Sequence, residues 1–149
     1  METLPAEELP KELRPLPSSL VERSARFPHG HVVSYRIEEP FPADRAISSI
    51  ESQIGGEWRP LDHLRRNPTI QSSRLRGWTG YLDGLSRQGT FVHQWWSEWE
   101  DANGNLLTYV LEYRSPAPSA NFGFSLERPT VSVLRVEASI ESAEILPRE

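Results

Sequence analysis

The chain has 149 residues, the length of a single domain, and 37% of them are hydrophobic, which is enough for one compact core. It contains no cysteine, which excludes disulfides, cysteine–zinc sites and thiol catalysis. Its net charge of −5 gives no basic surplus and so argues against a dedicated nucleic-acid binder.

No run of apolar residues is long enough to span a membrane, and none follows Met1 as a signal peptide would. We therefore expect a soluble protein. It would be cytoplasmic if Met1 is the native start, and it would belong to a bacterial envelope if a targeting segment has been removed.

Residues 1–30 are predicted to be a Pro-rich N-terminal arm, and residues 31–149 a single folded domain. Four prolines between residues 5 and 17 prevent a long helix. Ser19 and Glu22 have the spacing of a capping box, which favours one short helix over residues 20–26. The rest is expected to be an extended arm, and a solvated disordered tail is the alternative.

Residues 31–37 alternate between apolar and polar side chains and predict a strand. Residues 43–54 have apolar side chains at helical spacing, and Gly55 and Gly56 end the predicted helix. Residues 58–61 and 131–140 predict further strands. Residues 62–88 have no sustained period and are interpreted as a long loop.

The most informative segment, residues 90–115, holds three of the five tryptophans and predicts one β-hairpin. A two-residue turn at Asn103-Gly104 would mix apolar and charged side chains on both faces. A three-residue loop with Gly104 in the left-handed region would instead collect the aromatic side chains on one face. We therefore predict the pairs His93/Tyr113, Trp95/Leu111, Ser97/Tyr109 and Trp99/Leu107.

Together these elements predict an α+β fold, with a mostly antiparallel sheet, one main helix on one face, a central aromatic hairpin and an extended N-terminal arm. A helix of about a dozen residues is only about 18 Å long. It cannot cover the whole aromatic face, so the arm, the loop at 62–88 or a partner must cover the rest.

Four sequence strings occur in a distinctive order: VVSYRIEEPFPADRAISSIES, GEWRPL, RGWTGY and VHQWWSEWEDANGNLLTYVLEYRS. This order of strand, Pro-acid helix, Gly-Trp strand and aromatic hairpin resembles small bacterial α+β domains of unassigned function, over residues 32–115. The resemblance implies an architecture and carries no catalytic residue.

No phosphate-binding loop, nucleophile elbow or metal-ligand motif occurs in the chain, so we predict no catalytic residue, no metal site and no cofactor. Two nearby histidines, His29 and His31, are too few for a closed metal site. The pattern favours a non-enzymatic protein-interaction domain or accessory subunit, with another protein as its partner. The candidate contacts are an outward tryptophan and the arginines of the predicted loop: Trp96, Arg65, Arg66, Arg74 and Arg76.

Two other functions remain open. The protein could bind a small ligand with the aromatic face, in which case Trp95, Trp99 and Tyr109 would line an enclosed cavity. It could also be an enzyme of unrecognised type, which would need a cleft joining His63 or His93 to a carboxylate.

Overall fold

The computed structural model describes residues 1–39, 41–61, 72–75, 78–85, 90–116 and 133–143. Within these ranges one α-helix accompanies one sheet, and two short 3₁₀ turns lie at Ala6–Glu8 and Lys11–Leu13. The elements are β1 (Glu2–Thr3), β2 (Leu20–Phe27), β3 (Gly30–Ile37), α1 (Ala43–Gln53), β4 (Arg59–Pro60), β5 (Ser72–Leu75), β6 (Trp78–Leu85), β7 (Thr90–Glu100), β8 (Leu106–Pro116) and β9 (Val133–Glu141). The fold is thus a sheet-dominated α+β fold, as the sequence predicts.

Among the described residues, the sheet has seven longer strands and two strands of two residues each. Its order is β1-β2-β3-β9-β8-β7-β6-β5, with β4 paired to the far end of β7, and each of these pairs is antiparallel. The last strand, β9, lies between β3 and β8. It therefore joins the N-terminal hairpin β2–β3 to the aromatic hairpin β7–β8, which occupies the middle of the sheet.

The predicted register of the aromatic hairpin is confirmed. Trp95 lies opposite Leu111, and the other three predicted pairs are also formed. Gly104 has a φ of 83°, in the left-handed region, and its N–H donates to the carbonyl of Asp101 over 3.1 Å. The Asp101 side chain accepts bonds from the N–H groups of Asn103 and Asn105, which closes the turn.

Alternation along the strands separates two faces of the sheet, since successive side chains point to opposite sides. We call the face that carries Tyr35, Trp95 and Tyr109 the inner face. Its side chains form one buried cluster with residues of α1 and of the N-terminal arm. The cluster includes Val33, Tyr35, Ile37, Ile47, Ile50, Ile54, Trp95, Trp99, Leu107, Tyr109 and Leu111.

The N-terminal arm supplies much of this cluster. Its leucines Leu4, Leu9, Leu13 and Leu16 are at most 8% exposed, so residues 1–16 are not a solvated tail. The arm is not simply extended either, since two 3₁₀ turns fold it back over the core. The prediction that something besides the helix must cover the aromatic side chains is met by the arm.

The predicted short helix at residues 20–26 is wrong, because this segment is strand β2. Glu22 does not cap a helix, and its carboxylate instead accepts hydrogen bonds from Arg36 and Arg135 on neighbouring strands. Since β2 pairs along β3, the sheet begins before residue 31 and crosses the predicted boundary between arm and domain.

The prediction of one long loop over residues 62–88 is wrong where the structure describes this segment. Strands β5 and β6 lie there and extend the sheet beyond β7. Trp78 in β6 is fully buried, and its ring meets that of Trp99 edge to face with centroids 5.4 Å apart. Its indole N–H donates to Glu51 of α1 over 3.1 Å. Glycines in this segment interrupt the apolar alternation that would have revealed a strand.

Candidate functional site

The second face of the sheet, which we call the outer face, carries the alternate side chains of β2, β3, β9, β8 and β7. One row of paired residues crosses it from edge to edge. The backbone register aligns Arg23, Ser34, Glu137, Val110, Trp96, Thr79 and Arg74 in that order. Seven strands thus contribute to a single line of residues, although these are scattered over more than a hundred positions in sequence.

Two open grooves lie on the outer face. The first has a volume of about 290 Å³ and is lined by small and β-branched residues together with one arginine and one glutamate: Arg23, Val32, Ser34, Thr108, Val110 and Glu137 among them. The second has a volume of about 480 Å³ and adjoins the first through Glu137. Charged residues dominate its lining, which is Arg36, Glu38, Glu112, Val133, Arg135 and Glu137.

Three arginines and three glutamates line the two grooves. Arg36 and Arg135 lie directly opposite each other on β3 and β9, an arrangement that is unfavourable for like charges. Glu22 offsets the repulsion between the two arginines, because its two carboxylate oxygens accept hydrogen bonds from Arg36 at 2.6 Å and from Arg135 at 3.2 Å. Hydrogen bonds to Glu38 and then Glu22 raise the pKa of Arg36 above its ordinary value.

A β-bulge in β2 makes this arrangement possible. The register between β2 and β3 shifts between Val21 and Arg23, so that Glu22 is the extra residue. An extra residue in one strand bends that strand and re-aims a side chain. The bulge allows Glu22 and Arg23 both to serve the outer face, the first in the ion pairs and the second in the smaller groove.

Trp96 lies beside these grooves. The register places it between Thr79 of β6 and Val110 of β8, and Val110 lines the smaller groove. Trp96 is half-buried and has a contact within the chain, whereas its neighbours Trp95 and Trp99 are only 9% and 5% exposed. The three hairpin tryptophans thus divide between the two faces as the register predicts.

The arginines predicted as partner contacts are only partly described. Arg74 pairs with Thr79 and so belongs to the same row as Trp96. Arg65, Arg66 and Arg76 lie outside the described residues, and so does His63. Arg23, Ser34 and Glu137 were not recognised from the sequence, because their strands β2, β3 and β9 are distant from the hairpin along the chain. The alternation of charged and apolar residues at 133–138 is the signal that could have identified Glu137.

The residues of the alternative ligand site are part of the core. Trp99 and Tyr109 meet edge to face with ring centroids 6.1 Å apart. The Tyr109 hydroxyl donates to the backbone oxygen of Glu12 in the arm over 2.7 Å, and burial raises the pKa of this hydroxyl. Trp95 lies in the same buried cluster. All three residues contribute to the packing between sheet, helix and arm.

Hydrogen bonds from Gln53 and Trp58 hold the arm against the rest of the protein. The Gln53 amide donates to the carbonyl of Arg14 over 2.9 Å, and the Trp58 indole N–H donates to the Glu12 carboxylate over 3.2 Å. The first of these bonds is exposed and the second is part-buried, and each ties the arm to a specific residue of the folded core. The arm is therefore anchored by specific bonds as well as by its leucines.

His93 lies on the inner side of β7, with its ring centroid 5.1 Å from that of Trp95. Burial lowers the pKa of His93 and so favours the neutral imidazole. Within the described part of the chain, no ion pair joins His93 to a carboxylate, and no group of three or more metal-ligating side chains occurs. Over the same residues, no helix is long and apolar enough to cross a membrane.

The acidic residues near the hairpin tip also have structural roles. Glu100 accepts a hydrogen bond from Arg59 of β4 at 3.1 Å, and the two residues are paired in the sheet. Glu98 lies opposite Thr108 at the end of the outer face and has a contact within the chain.

No protein-family model matches the chain, and neither the curated proteins nor the solved structures contain a significant match to it. We therefore infer the function from the geometry of the two faces.

Proposed function

We propose that this protein is a non-enzymatic interaction domain, an accessory or assembly subunit that holds another protein on the outer face of its sheet. The observation that supports this most is the unequal covering of the two faces. The inner face is buried in one cluster with α1 and the arm, while the outer face keeps two open grooves beside the half-buried Trp96.

The covering of the inner face follows from its contacts. Residues Ala46, Ile47 and Ile50 of α1 are fully buried in the same cluster as the inner-face side chains. We infer that the helix lies on the inner face and that the arm covers what the helix cannot reach. A sheet with one covered and one open face alternates apolar and polar residues along its strands, as β9 does here.

The composition of the outer face resembles that of protein interfaces. Such interfaces combine an apolar centre with a polar rim, and tryptophan and arginine are enriched among their strongest contacts. Here Val32, Val110 and Trp96 supply apolar surface, and the charged groups of the larger groove lie beside them. The partner we infer carries apolar side chains flanked by both acidic and basic groups.

The ion pairs that join Arg36 and Arg135 to Glu22 and Glu38 would contribute more to partner recognition than to binding affinity. Their charged side chains are 30–56% exposed, and ion pairs open to solvent contribute little to stability. Complementary charges mainly accelerate encounter and exclude wrong partners. We therefore assign the stronger contact to Trp96 and Val110, with the grooves setting orientation. Arg74 belongs to the same row of paired residues as Trp96, and we therefore include it in the contact surface.

The two other functions have less support. A small ligand at Trp95, Trp99 and Tyr109 would have to displace the arm, whose leucines and hydrogen bonds fill the space beside them. An enzyme would need a nucleophile or carboxylate beside His93, whose ring packs against that of Trp95 in the described part of the chain.

Comparative co-purification from native extract tests the proposal. The wild-type chain is compared with Trp96→Ala, with Val110→Glu and with Ala102→Glu, a control at the exposed hairpin tip. We expect one or more proteins to accompany the wild type and Ala102→Glu but to be depleted from both outer-face variants. Equal recovery with all four chains would contradict the proposal, and so would turnover of a substrate by the purified chain alone.

A further inference from the structure

One carboxylate of the outer face, that of Glu137, lies where the two grooves meet, since Glu137 lines both of them. The register gives its neighbours on this face. Ser34 of β3 and Val110 of β8 flank it on the adjacent strands, and Val110 separates it from Trp96 of β7. Adjacent strands are about 4.8 Å apart, so the row from Glu137 to Trp96 spans about 10 Å. A carboxylate, an apolar side chain and an indole ring thus follow one another in a line.

The arginines of the grooves are engaged by other groups of this chain. Arg135 precedes Glu137 by two residues on the same face of β9, but it donates to Glu22, and so does Arg36. The guanidinium of Arg23 lies over an aromatic ring of its own strand β2, 5.6 Å from the ring centroid. Among the described residues, Glu137 is exposed and its carboxylate takes part in no ion pair.

A partner that covers Val110 and Trp96 would also take Glu137 out of water, because Glu137 lies directly beside Val110. Burial of a carboxylate without a countercharge is costly, and the neighbouring arginines could supply one only by leaving their present contacts. The countercharge is therefore expected from the partner. Building on the outer-face function proposed above, we propose that the partner lays an arginine side chain over Val110 and pairs its guanidinium with Glu137.

The surroundings of Glu137 favour arginine over lysine. The hydroxyl-bearing residues Ser34, Thr108 and Ser139 line the same groove as the carboxylate. A guanidinium holds five N–H donors in one plane, so it can bind a carboxylate through two of them and still donate to hydroxyl oxygens. A lysine ammonium is a single compact charge without this planar fork. The methylene stem of the arginine would cover Val110 and extend towards Trp96.

Glu137 would thereby select among partners. A neutral side chain at the same position would leave the carboxylate buried and unpaired, and an acidic one would repel it. Both situations disfavour a wrong partner, which is how interfaces achieve specificity beyond their apolar contacts. The apolar pair Val110 and Trp96 would hold any partner of suitable shape, and Glu137 would restrict binding to those that present an arginine.

NMR titration of the purified full chain tests this proposal with a defined probe, the tripeptide acetyl-Leu-Arg-Leu-amide. We expect the signals of Val110, Glu137 and the Trp96 indole N–H to shift together and to saturate with one dissociation constant. Citrulline in place of arginine keeps the shape of the side chain without its charge, and we expect at least about tenfold weaker binding. Lysine in the same place should bind about threefold more weakly or worse, because it lacks the planar fork.

Two variants locate the contact. Glu137→Gln removes the charge with little change in size, and we expect it to bind the arginine peptide at least about tenfold more weakly. Glu141→Gln is the matched control, because Glu141 is exposed on the same strand and lines neither groove, and it should bind like the wild type. Well-dispersed amide signals would show that both variants are folded.

Three results would each overturn the proposal. They are the absence of saturable shifts at Val110 and Trp96 in the wild type, equal binding of the citrulline or lysine peptide, and equal binding of the arginine peptide by Glu137→Gln. The co-purification experiment separates this outcome from failure of the proposed function. A protein that still accompanies the wild type and is lost with Trp96→Ala would show that only the arginine contact is wrong.

Discussion

The hydroxyl of Tyr109 donates a 2.7 Å hydrogen bond to the backbone oxygen of Glu12, a residue 97 positions earlier in the chain. This bond joins the centre of the aromatic hairpin to the N-terminal arm. It lies in a buried region where an unsatisfied carbonyl would be costly. The arm is thereby made part of the core, and the hairpin is given a cover that the single helix is too short to provide.

Tyr109→Phe tests the importance of this bond. The substitution keeps the aromatic ring but leaves the Glu12 carbonyl with only the longer 3.5 Å contact from Gln53. We expect the free energy of unfolding to fall by about 1–3 kcal/mol. Amide hydrogen exchange should also accelerate at Leu9 and Leu13 more than in the hairpin strands. Unchanged exchange in the arm would show that the leucines alone hold it.

Loss of a tryptophan should lower the free energy of unfolding much more on the inner face than on the outer face. Trp95→Ala and Trp99→Ala each remove a buried ring, and we expect losses of about 3–5 kcal/mol. Trp96→Ala should cost less than about 1 kcal/mol, because Trp96 is only half-buried. Denaturant unfolding measures all three. A cost at Trp96 equal to that at Trp99 would make Trp96 a core residue and remove it as a contact.

The hairpin turn depends on a glycine at one position. A side chain at Gly104 would have to adopt a φ of 83°, and its Cβ would come within 3.3 Å of the Cβ of Ala143. We expect Gly104→Ala to cost about 1–2 kcal/mol. Gly56→Ala is the matched control, because a Cβ there meets no atom within 4 Å, and it should cost much less. Equal losses in thermal unfolding would contradict the turn geometry.

Much of the central sheet could be predicted from the sequence because its signals are local. The hairpin register followed from sorting the side chains of adjacent segments, and helix α1 followed from helical spacing ended by Gly55 and Gly56. Strand β2 could not be recognised, since Ser19 and Glu22 imitate a helix cap and the strand is specified by its pairing with β3. Strand β6 was hidden by its glycines, and β5 is a four-residue segment with a single apolar residue.

The candidate contact surface could also be predicted only in part from the sequence. The outward direction of Trp96 follows from the hairpin register alone. The grooves beside it depend on β2, β3 and β9, which the fold brings next to β8 from both ends of the chain. The need for a cover over the inner face could be inferred from helix length. The role of the arm as this cover could not be predicted. Its four leucines are spaced around two 3₁₀ turns and follow no simple period.

The half-buried imidazole of His93 predicts a dependence of stability on pH. Burial lowers its pKa below the ordinary value of about 6.5, while the unfolded chain keeps that value. Below about pH 6.5 the unfolded state therefore binds more protons than the folded state, and stability falls as the pH falls. His93→Asn should reduce this slope, measured by denaturant unfolding between about pH 5 and 7. An NMR titration of His93 with a pKa above 6.5 would contradict the assignment.

The central claim is that the outer face, and not the hairpin tip, contacts another protein. Site-specific photo-crosslinking in the native cells tests it most directly, with the crosslinking residue placed at Thr108, beside the smaller groove, or at the exposed Ala102. We expect a discrete adduct with a different protein from Thr108, identified by mass spectrometry, and no adduct from Ala102. No adduct at Thr108, or the same adducts from both positions, would contradict it.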